Sequence, residues 1–324
     1  DNELGADMDL SGLGEADTIK LLFSENAGIV FQLKNEVVER LLSEAQIDFK
    51  KIGNVNDTSE LTIKNGGMEM GLNVASLRDT WFRTSYLLDE KQTANGLAKH
   101  RFDNYKKQPL KYTLPFDFNG KLPPLDSAQR AITEAERSRS NRPKAAILRE
   151  KGSNSEREMA NAMFLAGFDV KDVHMTDIIS GRETLEDVQF LGAVGGFSNS
   201  DVLGSAKGWA GAIKYNDRAN KVIKDFFARP DTLSVGICNG CQLFMELDLI
   251  NPEHETHGKM TYNESGKHES NFTSVKIQKN NSVMLSSLED TTLGVWISHG
   301  EGKFSLPLSE ENYDIVAKYG YDAY

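Results

Sequence analysis

The sequence is poor in cysteine: 324 residues contain two, Cys238 and Cys241. A disulfide framework is excluded, and so sparse a pair points to a reducing compartment and to chemistry. No apolar run approaches the roughly 18 to 20 residues that span a bilayer, and the first residues lack a basic-then-apolar leader. A soluble, cytoplasmic protein is therefore expected, and a chain that starts at Asp1 without Met is expected to be a fragment. Positive charge is also in deficit, with 37 Lys and Arg against 48 Asp and Glu and a formal net charge of -11. Neither nucleic acid nor an anionic membrane is an expected partner.

Proline is scarce and clustered. Five of the eight, Pro109, Pro115, Pro123, Pro124 and Pro143, fall in one stretch with Asn119-Gly120 and a locally basic run of Arg130, Arg137, Arg139 and Arg142. That composition reads as a solvated or surface-packed linker over 109–143. It separates a first domain, about 1–108, from a second at 144–324, a division the length allows.

The first segment reads as mixed α and β. Helices are predicted over 17–24, 35–45 and 74–88, and strands over 28–33 and 61–64, with Met68 and Met70 alternating as on a strand. The second alternates more regularly. Strands are predicted at 145–148, 170–174, 190–194 and 233–237. Ser153 followed by Glu156 reads as a capping box, and helices are predicted from there to Gly167, from Trp209 to Phe227 and from Gln242 to Leu249. Shorter strands follow at 272–278 and 293–298. The rhythm predicts an α/β fold, an open and mostly parallel sheet with helices on both faces and a site at the carboxyl ends of its strands.

Two strand ends carry chemistry. Gly236-Ile-Cys-Asn-Gly-Cys-Gln reads as a nucleophile elbow: the turn from strand to helix puts Cys238 on a sharp corner, and the flanking glycines let backbone pass closely. The corner faces the first free N–H groups of a helix, which favour negative charge. Gly195-Gly-Phe-Ser, after the preceding strand, supplies a second set of amides. Gly196 and Asn239, the residue after the cysteine, are the candidate oxyanion-hole donors for acyl transfer through a thioester.

Two other readings of the cysteines stay open. Cys238-x2-Cys241 with His254 and His257 resembles a truncated zinc-finger spacing, but the histidines are too close and the cysteines open a helix where a finger needs a hairpin. No metal is expected. A redox pair at a helix start is the other. Among six histidines, His299 stands out in Ser298-His-Gly-Glu-Gly, where Glu301 has the spacing of a carboxylate that orients a base. The other histidines read as surface residues.

These motifs together resemble the large single-chain phosphoribosylformylglycinamidine synthases of purine biosynthesis, over nearly the whole chain. Lys144-Ala-Ala-Ile-Leu-Arg-Glu-Lys-Gly-Ser-Asn-Ser-Glu, Val173-His-Met-Thr-Asp, Gly195-Gly-Phe-Ser-Asn-Ser-Asp, Lys207-Gly-Trp-Ala, Phe226-Phe-Ala-Arg-Pro, the elbow and Ser298-His-Gly-Glu-Gly follow in the family's order. Leu22-Phe-Ser-Glu-Asn-Ala-Gly-Ile-Val-Phe-Gln and Leu77-Arg-Asp-Thr-Trp resemble the end of its ATP-dependent synthase region.

The resemblance implies a class I, flavodoxin-like glutaminase domain preceded by part of an α+β synthase domain, within an ATP-dependent C–N ligase. Glutamine is then the substrate, Cys238 the nucleophile and Gly196 the oxyanion strand, while Gln242, Phe197 and His299 hold glutamine. Formylglycinamide ribonucleotide and the remaining synthase domains of the same chain are the implied partners of the parent. ATP and Mg2+ would bind upstream, with no cofactor in this fragment. The family's catalytic histidine and glutamate lie in a His-Pro-Glu-Arg motif beyond a Tyr-Pro-x-Asn-Pro-Asn-Gly-Ser stretch. This chain contains no His-Pro-Glu, so the pair is expected to be missing and His299 and Glu301 to line or support the pocket. Asn199-Ser200 departs from the family's usual Tyr-Gly. The alternatives are another cysteine hydrolase or redox-sensing module of the same fold, or a non-catalytic fragment.

Overall fold

The computed structural model describes residues 4–33, 35–107, 111–115 and 141–321. Contacts divide the described residues into two compact units, one within 4–107 and the other within 111–321. Most of the predicted linker, including Arg130, Arg137 and Arg139, lies outside the described residues. Arg142 packs: it donates to the Phe168 carbonyl at 3.0 Å and sits 5.2 Å from the Phe164 ring centroid.

The first unit holds a four-stranded sheet of β1 (Gly5–Asp9), β2 (Gly53–Asn56), β3 (Glu60–Asn65) and β4 (Met68–Asn73), in the order β2-β1-β3-β4. Only β1 and β3 are parallel. Gly66, at φ 58°, and Gly67 close the β3–β4 hairpin in a conformation that suits glycine. Four helices accompany the sheet: α1 (Thr18–Phe23), α2 (Glu36–Glu44), α3 (Val74–Gln92) and α4 (Leu97–Asn104). Asp17, Asn35 and Asn73 cap the first three with side-chain oxygens. The predicted strand over 28–33 does not form. Ile29 and Val30 are 86% and 79% exposed and find no partner strand.

The second unit contains β5 (Lys144–Arg149), β6 (Ser153–Asn154), β7 (Asp169–His174), β8 (Phe190–Ala193), β9 (Gly195–Gly196), β10 (Leu233–Gly236), β11 (Lys259–Thr261), β12 (Glu269–Ile277), β13 (Thr292–His299), β14 (Lys303–Ser305) and β15 (Ala317–Tyr319). Among the described residues its helices are α5 (Glu156–Leu165), α6 (Met175–Ser180), α7 (Lys207–Lys214), α8 (Asp217–Ala228) and α9 (Asn239–Glu246).

The central sheet runs β10-β8-β5-β7, with every neighbouring pair parallel. Strand β5 has four consecutive buried residues, as a strand covered on both faces must. Alternation sends Ala145 and Ile147 toward Met163 of α5, and Ala146 and Leu148 toward Trp209, Ile213, Phe226 and Leu243 of α7, α8 and α9. Helices thus cover both faces, as predicted. Sequential strands depart from β5 in opposite directions, to β7 and then to β8. The topological switch point therefore lies between β5 and β8, where such sheets open a crevice. A separate antiparallel sheet, β13-β12-β15, follows.

Two local expectations fail for identifiable reasons. The single helix predicted from Trp209 to Phe227 is two, because the Asn216 side chain accepts from the Ala219 amide at 2.9 Å and starts α8 afresh. The capping box at Ser153 is absent: that hydroxyl donates to the Glu150 carbonyl at 2.7 Å, and Ser155 occupies the N-cap with its hydroxyl turned to Asn154 Oδ1 at 3.1 Å and no side-chain bond to the helix.

Candidate active site

Strand β10 ends at Gly236 and α9 begins at Asn239, so Cys238 sits at the N-cap, exposed, with φ 55° and ψ -113°. A non-glycine residue holds such a conformation only when its surroundings enforce it. The flanking glycines enforce it by contact. A Cβ on Gly236 would lie 2.6 Å from the Gly240 carbonyl oxygen, and one on Gly240 would lie 2.1 Å from the Ala193 carbonyl oxygen. The elbow therefore packs backbone to backbone on β8.

Strand β9 runs beside the thiol. A Cβ on Gly195 would lie 3.2 Å from Cys238 Cβ and 3.8 Å from its Sγ. On its other side β9 pairs with β6, Ser153 opposite Gly196 and Asn154 opposite Gly195. Gly196, at φ 104°, has no room for a side chain: a Cβ there would lie 2.7 Å from both the Asn154 nitrogen and the Gly152 oxygen. The Phe197 amide donates to the Gly152 carbonyl at 2.9 Å and the Asn199 amide to the Lys151 carbonyl at 2.7 Å. The loop after β5 thus clamps the turn after β8 at the switch point. Asn239 opens α9, so its backbone N–H has no intrahelical acceptor and is free for an anion.

A buried polar network underlies these groups. Asn239 Oδ1 accepts from the Ser198 amide at 3.3 Å and the Ser198 hydroxyl at 2.5 Å. Its Nδ2 donates to Asp201 Oδ1 at 3.2 Å and Gln242 Oε1 at 3.1 Å. Gln242 Nε2 donates to the Glu301 carbonyl at 2.9 Å, and Glu301 Oε1 accepts from the Ser205 amide at 3.2 Å. Ser198 and Asn239 are fully buried and Gln242 is nearly so.

His299 and Glu301 do not form the base and carboxylate pair that their spacing suggested. His299 Nδ1 lies 2.9 Å from Asn263 Oδ1, so Asn263 orients the ring, while Glu301 turns its carboxylate to the Ser205 amide. Nδ1 must then donate, which leaves the buried and unpartnered Nε2 as the lone-pair nitrogen. Burial holds His299 below the ordinary imidazole value, and the neighbouring His268 pushes the same way. Phe197 is 59% exposed, open to a ligand, whereas Gln242 spends its side chain on Asn239 and Glu301. Cys241 is mostly buried, and that burial raises its thiol above the ordinary value. His254 and His257, read as surface residues, are half-buried. Among the described residues no group of three or more His, Cys, Asp or Glu could hold a metal, and no helix is long and apolar enough to cross a membrane.

Sequence reasoning missed Ser198, Asp201 and Asn263. The first two lie inside the Gly-Gly-Phe-Ser-Asn-Ser-Asp motif and could have been suspected as supports. Asn263 stands 36 residues from His299 with no motif around it.

The pattern of the CobB/CobQ-like glutamine amidotransferase domain matches residues 142–321. A probable phosphoribosylformylglycinamidine synthase of Caenorhabditis elegans is 41% identical over 297 residues, covering 89% of this chain and 22% of that protein. A probable phosphoribosylformylglycinamidine synthase of Arabidopsis thaliana, described as chloroplastic/mitochondrial, is 35% identical over 314 residues, covering 94% of this chain and 22% of that protein. The structure of PurLQS from Thermotoga maritima aligns at 23% identity and a TM-score of 0.45, covering 56% of this chain and 76% of that one. The chain thus spans about a fifth of the length of the curated relatives it matches.

Proposed function

This chain belongs to the CobB/CobQ-like glutamine amidotransferase family, and we propose that it is the ammonia-releasing portion of a phosphoribosylformylglycinamidine synthase. The observation that carries this reading is the exposed Cys238 on its strained corner, flanked by β9 and by the start of α9. The Cys238 thiolate adds to the carboxamide carbon of glutamine, and the carbonyl electrons move to oxygen. The amides of Gly196 and Asn239 hold that oxyanion, each such donor contributing roughly 3 kcal/mol in the transition state. Collapse expels ammonia after a proton reaches the nitrogen, and water then cleaves the thioester to glutamate and free thiolate. Phe197 and His299 line the glutamine pocket. Gln242 acts through the network that steadies α9.

In the parent enzyme the ammonia converts formylglycinamide ribonucleotide to its amidine, with ATP going to ADP and phosphate. ATP and Mg2+ serve the synthase region, and no step of the glutaminase half needs them. The proton carrier is the His-Pro-Glu histidine that the resemblance implies; with Asn263 on its ring, His299 is not assigned that role. The chain by itself should hydrolyse glutamine poorly, and turnover near that of a complete synthase would restore His299 as the base.

Diazo-oxo-norleucine, an electrophilic glutamine analogue, tests the site directly. One adduct on Cys238, located by peptide mass and suppressed by glutamine, is expected. An adduct on Cys241, or labelling that glutamine does not suppress, overturns the reading in favour of a redox or other cysteine function.

A further inference from the structure

Asn239 has two separable parts. Its backbone N–H, at the first position of α9, is the proposed oxyanion donor; its side chain faces the interior and is saturated. Oδ1 accepts twice from Ser198, and Nδ2 donates once each to Asp201 and Gln242. Ser198 is two residues beyond Gly196, on the turn that carries the other proposed donor, and Asp201 ends that turn. Asp201 is itself held, its Oδ1 accepting from the Ala206 amide at 3.3 Å and its Oδ2 from the Ser205 hydroxyl at 3.2 Å. One carboxamide therefore bolts the turn after β8 to the helix that presents the nucleophile.

We propose that the Asn239 side chain is a positioning residue: by bridging Ser198 and Asp201 to α9, it fixes the spacing between the Gly196 and Asn239 amides and so sets the oxyanion hole. The inference rests on the glutaminase reading above. Two features of the network support it. The turn it holds is strained, with left-handed φ at Asn199, Ser200 and Asp201 in succession, and such a turn persists only where contacts over-determine it. Asn239 and Ser198 are also fully buried, and Asp201 half-buried, where an amide with all its partners is rigid and one that loses them is costly. A hydrophobic residue at 239 would keep the backbone donor and lose every tie to the turn.

The test separates oxyanion binding from thiol reactivity in one assay on the full chain. Iodoacetamide alkylates Cys238 by displacement of iodide and needs no oxyanion hole. The aldehyde analogue of glutamine, glutamate semialdehyde N-acetylated so that its amine cannot close onto the aldehyde, adds the thiol across its C=O to form a hemithioacetal, whose oxygen occupies the hole. Its dissociation constant is read from protection of Cys238 against iodoacetamide. In Asn239→Ala that constant should rise about 100-fold, the effect of roughly an ångström of misplacement, while unprotected alkylation stays within about twofold of wild type.

Ser198→Ala, which removes the hydroxyl and keeps the Ser198 N–H bond, should raise it about tenfold, and it remains informative if Asn239→Ala does not fold. An unchanged aldehyde constant in either folded variant overturns the positioning role. So does a parallel loss of alkylation and aldehyde binding, which marks a general collapse of the elbow. Failure of the wild-type chain to be protected by the aldehyde or by glutamine is a different result, and overturns the glutaminase reading instead.

Discussion

Gly240 and Ala193 are in backbone contact: a methyl on the glycine would lie 2.1 Å from the alanine carbonyl oxygen. That oxygen belongs to β8 and already accepts from the Ile237 amide at 3.0 Å, so it cannot retreat cheaply. Gly240→Ala should cost about 2 kcal/mol or more, through backbone displacement at the elbow. Gly211→Ala is the matched control. Gly211 lies inside α7, where a Cβ would meet only Tyr215 Cδ2 at 3.9 Å, so alanine should stabilise by about 0.5–1 kcal/mol through helix propensity. Urea midpoints of residues 141–321, followed by hydrogen exchange, should move in opposite directions for the two variants. A shared direction would remove the close-packing account of the elbow.

Ser200 holds φ 57° and ψ 19° in the turn after Gly195-Gly196. A left-handed conformation costs an ordinary residue about 1–2 kcal/mol, part of which glycine gives back through its freer unfolded chain. Ser200→Gly should therefore stabilise by about 0.5–1 kcal/mol. A lower urea midpoint for the glycine variant would mean that the Ser200 side chain, not its backbone, secures the turn.

The parallel sheet and the elbow were legible because each announces itself locally. Ala145 to Leu148 is an apolar run, and Gly236-Ile-Cys-Asn-Gly compresses a strand end, a corner and a helix start into five residues. The first unit was read less well. The apolar stretch Gly28 to Leu33 looked like a strand, but a strand needs a neighbour, and the sheet filled its positions with β1, β2 and β4. The break at Asn216 was hidden because its apolar neighbours keep helical spacing while one side chain resets the register. The pairing of His299 with Asn263 was invisible in principle: β12 and β13 must pair, Glu269 opposite His299, before those residues are brought near each other. Spacing along the chain offered Glu301, and the turn carried that carboxylate to Ser205.

Asp187 bonds both Lys144 and Lys171, which hold its carboxyl down to about 2. Because the folded value lies below the ordinary 3.8, the ionised group favours folding above that value, and its contribution fades as pH falls from about 4 toward about 2. The side chain is 47% exposed, so solvent screening keeps the effect under about 1 kcal/mol. Asp187→Asn should lower the stability of residues 141–321 slightly at neutral pH. The gap to wild type should close through that acid window and narrow in high salt. A gap that persists below pH of about 2 would assign the loss to packing and not to charge.

His299 gives the opposite limb. Its folded value is depressed below 6.5, first by burial and then by His268, with Glu269 opposing. The unfolded chain therefore takes up a proton before the folded one does as the solution is acidified. Stability is then lost as pH falls below 6.5, and the loss continues until the folded imidazole also protonates. His299→Gln removes that titration and offers no charge to bury. Between about pH 7 and about pH 5.5 the urea midpoint of residues 141–321 should fall more steeply for wild type than for His299→Gln. His268→Gln removes one depressing charge, so it should make the wild-type fall shallower without abolishing it. Equal slopes for wild type and His299→Gln would mean that the ring is protonated as easily inside as out. The unpartnered Nε2 would then have to be reached by water, and His299 would return as a candidate proton carrier.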